Sequence, residues 1–308
     1  MILSCGEALI DMLPRTSTAG EPCFAPYPGG AVMNTAIALG RLGVPSAFLS
    51  GLSTDLFGQM LTDALAASHV DTTLAIRSSR PTTLAFVRLE GGQASYAFHD
   101  ENSAGRMIVP ADLPDLPDHI QALFFGGISL MVEPSATTYE TLMTREAGSR
   151  RVLMIDPNIR PAFIADEPGY RARIARMIAL AHLVKLSEED LRWLSGLGPV
   201  EDLARTLLAR GPAAVFVTEG AKGAHAITRK HHVFVPAPKV AVADTVGAGD
   251  TFNAGILAAL FRADLLNPDA IAHLSRPALI RALDLGTRAA AITVSRPGAN
   301  PPWATEIV

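Results

Sequence analysis

The segment Asp244-Thr245-Val246-Gly247-Ala248-Gly249-Asp250-Thr251-Phe252-Asn253-Ala254-Gly255 sets three small residues just ahead of a helix expected over Asp250–Phe261. Small residues let a ligand approach the backbone. A helix start adds unpaired N–H groups at the positive end of a dipole. Together they make an anion cradle suited to phosphate. Asp250 is the odd member, because a bound phosphate repels a carboxylate. It reads two ways. It is the N-cap of the helix, or it accepts the proton of an attacking hydroxyl while neighbouring amides hold the transferred phosphoryl group. No Gly-Lys-Ser/Thr is present, so the cradle is not a P-loop. No Gly-x-Gly-x-x-Gly follows a strand, which argues against a dinucleotide-binding dehydrogenase.

Outward from this segment the chain alternates short β-type runs with helical ones. Strands are expected at Ile2–Gly6, Ala47–Gly51, Leu123–Gly126, Arg151–Asp156, Leu183–Leu186 and Ala214–Thr218. Helices are expected at Gly30–Leu42, Phe57–Ser68, Pro134–Gly148, Tyr170–His182, Ser187–Leu194 and Pro277–Val294. Such alternation implies a mostly parallel sheet with helices on both faces, an α/β fold. Two stretches break the rhythm. Leu9–Leu13 with Cys23–Tyr27, and Thr82–Glu90 with Ser95–His99 turned by Gly91-Gly92, read as hairpins. Residues of about 9–28 and 82–100 are therefore expected to form a small sheet beside the main one. It is either a lid over the strand ends or a decoration. No linker divides the chain, so 1–308 reads as a single domain.

Of the 308 residues 49% are apolar and 18% charged, with a net charge of −4, which excludes general disorder. Mean hydropathy is +0.26, yet no run of about 18 apolar residues suggests a membrane span. An isoelectric point near 6.1 argues against a nucleic-acid binder. The opening residues lack a basic stretch and reach Glu7 and Asp11 early, so a signal peptide is not expected. Cys5 and Cys23 exclude a disulfide framework and read as reduced thiols of a cytoplasmic protein. The eight histidines, His231-His232 and His99 among them, lack metal-ligand spacing.

Asp244–Asp250 resembles the DTxGAGD signature of the ribokinase-like (PfkB) carbohydrate kinases. Gly29-Gly30-Ala31-Val32-Met33-Asn34 resembles the family's other signature, a Gly-Gly pair followed by Asn on a helix, and the two stand in the family order. The resemblance runs from Gly6 to Asn300 and implies a three-layer α/β core with a small β-lid. It implies Asp250 as catalytic base, with Gly247, Ala248 and Gly249 as anion hole. It implies Asp11, Gly29, Gly30 and Asn34 as sugar contacts. Asp156-Pro157-Asn158-Ile159-Arg160 is similar to a segment of the fructokinase branch, which places Arg160 near the γ-phosphate, where an Arg pairs bidentately. Thr218-Glu219-Gly220-Ala221-Lys222-Gly223 resembles the nucleotide turn, so Thr218, Gly220 and Gly223 are expected at ATP. Ala299 and Asn300, in Gly298-Ala299-Asn300, are expected around the adenine.

The resemblance further implies ATP and Mg²⁺ as cofactors, a small-molecule sugar as partner and a homodimer through the lids. Many members carry Asn-x-x-Glu to order the Mg²⁺ water shell, whereas Ser187-Glu188-Glu189-Asp190 stands here. Asp190 and Glu189 are the candidates, with Glu188. Ser187 and Asp190 also read as a capping box. A K⁺ site is implied near Asp244 and Val246, with Pro302 standing where the family usually has Ser. The expected reaction is ATP-dependent phosphorylation of a primary hydroxyl, with Asp250 as an ordinary aspartate of pKa about 3.9. D-Fructose is the expected sugar, and the rival is 2-keto-3-deoxygluconate, which needs basic groups from among Arg77, Arg80, Arg88 and Arg106. A non-catalytic sugar sensor is the alternative from another class, against which the retained Asp250 argues.

Overall fold

The computed structural model describes residues 1–90 and 93–307, with the backbone alone for 88–90 and 93–96. The expected turn Gly91-Gly92 and the side chain of Arg88 lie outside the described residues.

The main sheet takes β1 (Ile2–Cys5), β4 (Ser46–Leu49), β6 (Val70–Asp71), β10 (Ala122–Gly126), β11 (Val152–Asp156), β12 (Leu183–Ser187), β13 (Ala214–Thr218), β14 (Gly223–Thr228) and β15 (His232–Pro236). Their spatial order is β15-β14-β13-β12-β11-β10-β1-β4-β6. From β13 to β6 every pairing is parallel, whereas β13–β14 and β14–β15 are antiparallel. The parallel strands are buried on both faces, as their unbroken apolar runs require.

Successive strand residues point to opposite layers. Ile2, Phe48, Phe124 and Met154 pack with helices α1 (Ala31–Arg41), α7 (Ala248–Arg262) and α9 (Arg276–Val294). Helices α2 (Leu56–Ala67) and α8 (Pro268–Ala272) join that layer. Leu3, Leu49, Phe125 and Ile155 pack with α3 (Ser135–Glu146), α4 (Glu167–Leu180), α5 (Glu188–Ser195) and α6 (Val200–Leu208). No helix of the described residues is long and apolar enough to cross a membrane. Both cysteines are free thiols, Cys5 buried and Cys23 exposed.

The second sheet joins the two hairpins in the order β3-β2-β8-β9: β2 (Leu9–Thr16), β3 (Pro22–Gly29), β8 (Leu84–Glu90) and β9 (Gln93–His99). The parallel pairing of Ile10–Met12 with Leu84–Phe86 fuses the hairpins into one sheet. Pro22, Pro26 and Pro28 lie on the edge strand β3, where a missing N–H costs no interior ladder bond. Strands β5 (Gly51–Ser53) and β7 (Ile76–Ser78) form a separate parallel pair.

The expected elements are present with shifted ends. Helix α7 starts at Ala248 rather than Asp250, because Gly247 in a left-handed conformation (φ +78°) is its N-cap. Strands β14 and β15 and helix α6 were not read from the sequence. Strand β14 opens on Gly223, which resembles turn punctuation, yet Gly223 is needed because a side chain there would meet the β15 carbonyl of Val235 at 2.2 Å.

Helices α7 and α9 cross at Gly255 and Gly286. A Cβ on Gly255 would lie 2.5 Å from the Gly286 Cα. Gly255→Ala is therefore expected to destabilise the fold by about 1–3 kcal/mol, read as a lower urea midpoint with unchanged m-value.

Candidate active site

The chemistry-bearing residues collect beyond the carboxyl ends of the parallel strands, where open α/β sheets bind ligands. Glu7 follows β1, Gly127 follows β10, Asp156 closes β11, Ser187 closes β12 and Thr218 closes β13. Helix α7 brings its N-terminus to the same edge. A side chain on Gly247 would fall 2.8 Å from the Cβ of Ala299, so both its positive φ and this contact demand glycine. Among the described residues nothing accepts the amides of Gly249 and Asp250, while that of Ala248 donates to the Thr245 carbonyl at 3.4 Å. These are free donors at the positive end of a helix dipole.

Asp250 is not the cap. It lies in the first turn, 8% exposed, and its Oδ2 accepts a 2.9 Å hydrogen bond from Asn34 Nδ2 on α1. Thr35 Oγ1 donates to the backbone carbonyl of Asp250 at 3.2 Å. Burial pushes its carboxyl up to about 7, reinforced by the negative charges of Asp156 and Glu7 and opposed by the Asn34 amide and the Lys185 ammonium. The ordinary aspartate expected from sequence is thus corrected: desolvation raises the Asp250 carboxyl toward neutrality.

One cavity of about 370 Å³ opens on Asp250 and is lined by Glu7, Asp11, Gly30, Asn34, Arg160 and Gly247 among others. Asp11 comes from β2 of the small sheet, and burial pushes it up to about 6. Gly29 makes room for it, since a Cβ there would lie 2.3 Å from Asp11 Oδ2. Gly30, at φ +108°, lets the start of α1 press onto the Glu7 carbonyl. Asn34 lines the cavity and donates one of its two amide N–H groups to Asp250. Arg160 is exposed, donates to the Ile159 carbonyl at 3.0 Å and joins no ion pair among the described residues. Phe98 of β9 and Phe163 after Arg160 meet edge to face at 4.6 Å, closing one wall between the two sheets.

A second, mostly apolar cavity of about 430 Å³ includes Thr218, Gly220, Gly223, Val242, Phe252 and Val294 in its lining. It shares Thr245 and Gly249 with the first, so the anion cradle stands between them. Ala299 and Asn300 do not line it. Asn300 Oδ1 accepts from Arg41 Nη1 at 2.7 Å, and Ala299 packs against Gly247.

The cation candidates are largely committed. Both oxygens of Asp190 accept backbone N–H groups, from Ile159 at 3.0 Å and Ser187 at 3.3 Å, and the Ser187 capping box is formed. Glu188 pairs with Arg192 and Lys222, and Glu189 is exposed. Asp244 accepts from the amides of Val246 and Gly298, tying the loop before α7 to the loop after α9. Among the described residues no cluster of three or more acidic, His or Cys groups forms a metal cage.

The pfkB family carbohydrate kinase model matches residues 1–306. The chain belongs to this family. The kinase is 54% identical over 279 residues to a fructokinase of Rhizobium leguminosarum bv. trifolii, covering 91% of this chain and 85% of that one. It superposes with a TM-score of 0.90 on the crystal structure of a fructokinase with bound ATP from Xylella fastidiosa, at 28% identity, covering 99% and 96% of the two chains. A double mutant of the Vibrio cholerae O395 fructokinase, in a form bound to fructose, ADP and a potassium ion, gives 0.83 at 26% identity over 97% and 93%.

Sequence reasoning passed over Glu7, Asp156, Lys185 and Asn253. Glu7 Oε1 accepts from the Ala31 amide at 3.0 Å and Oε2 from that of Ser129 at 3.2 Å, joining the start of α1 to the loop after β10. A signal for Lys185 and Asp156 was present: a charged residue inside or closing a buried apolar strand needs a partner.

Asp250→Asn keeps the shape of the site and removes the titratable carboxyl. Isothermal titration is expected to give near-parental sugar and nucleotide affinity, while steady-state turnover falls by about 10²–10⁴-fold.

Proposed function

We propose that this carbohydrate kinase phosphorylates D-fructose at its primary hydroxyl with ATP, giving fructose 6-phosphate and ADP. The observation that carries the choice of a neutral sugar is the charge of the cavity beside Asp250. Its lining holds the carboxyls of Glu7, Asp11 and Asp250 against one cation, Arg160, among the described residues. An acid sugar would meet net repulsion there. Three of the rival's four basic groups are engaged elsewhere, the side chain of Arg88 lying outside the described residues: Arg77 donates to Thr62, Arg80 to Asn102, and Arg106 to Asp100 and the Glu133 carbonyl.

Asp11 and Asn34 supply directional partners for the polyol, with the bare backbone at Gly29 and Gly30. Thr218, Gly220 and Gly223 receive the nucleotide in the apolar cavity, with Ala299 and Asn300 at the rim of the neighbouring loop. The hydroxyl oxygen bonds to the γ-phosphorus, the bond from that phosphorus to the ADP oxygen breaks, and Asp250 takes the hydroxyl proton. The cradle amides and Arg160 hold the charge of the transferred group. Catalysis rests chiefly on positioning and fixed dipoles.

Mg²⁺ neutralises phosphate charge in this chemistry. Asp190 and the exposed Glu189 build no cage for it among the described residues and would hold it only through water. A monovalent ion, K⁺, is assigned to the loop pair that Asp244 ties together. The small sheet acts as a lid over the sugar, and Phe24 and Tyr27, exposed on edge strand β3, fit a homodimer formed through the lids. The free thiols fit the reducing cytoplasm.

ADP release with fructose, ribose, glucose, adenosine and 2-keto-3-deoxygluconate tests the substrate. Fructose is expected to dominate, and stronger stimulation by the acid sugar overturns the choice. The pH profile tests the base. Because the raised Asp250 must be ionised, kcat/KM is expected to fall about tenfold per unit as pH drops below about 7 and to level off above it.

A further inference from the structure

Gly249 raises a question that the cradle alone does not answer. Unlike Gly247, its backbone lies in the ordinary helical region, so no positive φ demands glycine there. A Cβ at 249 would meet one heavy atom within 4 Å, the Nζ of Lys185 at 3.0 Å. The absent side chain therefore leaves the cradle directly above a buried ammonium. Lys185 is 4% exposed in the middle of β12 and forms a 2.9 Å ion pair with Asp156 at the end of β11. One turn further along α7, on the face of Gly249, Asn253 Nδ2 donates to the same Asp156 oxygen at 2.7 Å. Asn253 Oδ1 is buried with no partner among the described residues.

A buried ion pair is a poor way to stabilise a fold, because desolvation offsets much of its attraction. In this pair it is the cation that lies under the cradle, 3.0 Å from the place of a Cβ at 249. We infer that Lys185 is a positioning residue for phosphoryl transfer: pinned by Asp156 and Asn253 beneath Gly249, its ammonium supplies fixed positive charge to the anion hole and to the neighbouring Asp250. The inference rests on the assignment of Asp250 as base.

The ammonium carries three donors, and the hydrogen bond it makes within the chain goes to Asp156. Its charge acts through the gap at Gly249 from a buried position, where a fixed charge counts for more than in solvent. The charged groups facing Asp250 are Glu7 after β1, Asp156 on β11 and Lys185 on β12, while Asp11 from the small sheet and Arg160 share its cavity. Burial together with Glu7 and Asp156 pushes the Asp250 carboxyl up, and Lys185 draws it down.

The test follows Asp250 directly, by carboxyl-carbon NMR of the ligand-free protein, its signal assigned by loss in Asp250→Asn. This readout is independent of the sugar, so a wrong substrate and a wrong role for Lys185 remain distinguishable. Asp156→Asn, which keeps a hydrogen-bond acceptor for Lys185 and removes the opposing charge, is expected to move the Asp250 midpoint down. Lys185→Met is expected to move it up, and Lys185→Arg to leave it near the parent. In Lys185→Met/Asp156→Asn, which buries no charge at this pair, kcat with the sugar selected by the panel is expected to fall at least tenfold with near-parental KM. A folded double variant with parental kcat, or a folded Lys185→Met variant whose Asp250 midpoint does not rise, overturns the inference. If the Lys185→Met variants do not fold, an absent or upward shift in Asp156→Asn overturns it alone.

Discussion

The hydrogen bond from Asn34 to Asp250 joins the first helix of the chain to the seventh, and the site is organised around it. A carboxylate beside a phosphate cradle is repelled by its ligand and desolvated by its surroundings. It stays in place because α1 supplies an amide donor at 2.9 Å and a hydroxyl, from Thr35, on the adjacent carbonyl. The start of α1 is in turn held by Glu7, whose carboxylate accepts the Ala31 amide, and Gly30 permits the approach. Loss of any link displaces the acceptor relative to the amides of α7.

Beneath that bond runs a second polar layer. Asp156, Lys185 and Asn253 connect β11, β12 and α7, while Asp190 stitches the turn after Asp156 to the start of α5. The layer lies at the carboxyl ends of strands that are otherwise apolar. There the end of one strand, the next strand and a helix N-terminus converge, so each charge finds a partner without crossing the core. The two cavities open above it and share Thr245 and Gly249, so the cradle stands between them.

The small sheet completes the sugar side. Asp11 reaches the cavity because β2 pairs along the edge of β8, and Gly29 yields the space its carboxylate occupies. Phe98 of the small sheet and Phe163 of the turn after β11 meet across the same gap. The small sheet therefore contributes Leu9, Asp11 and Phe98 to the lining of the cavity beside Asp250.

The sequence by itself determined the layers, because strand and helix periods and the glycines before α7 are local properties of the chain. It also marked Asp250, Asp11 and the nucleotide turn, whose residue types carry their chemistry wherever they stand. It left Asp250 divided between cap and base, since that choice depends on Asn34, 216 positions away. It assigned Asn34 to the sugar and Asp190 to a cation and a capping box; the folded chain adds a hydrogen bond from Asn34 to Asp250 and forms the capping box. Only the tertiary structure decided the ionisation of Asp250 near neutrality, the ammonium under Gly249 and the turning of Asn300 toward Arg41. Each of these is set by burial and by partners from distant segments, and burial is a property of packing that no stretch of sequence contains.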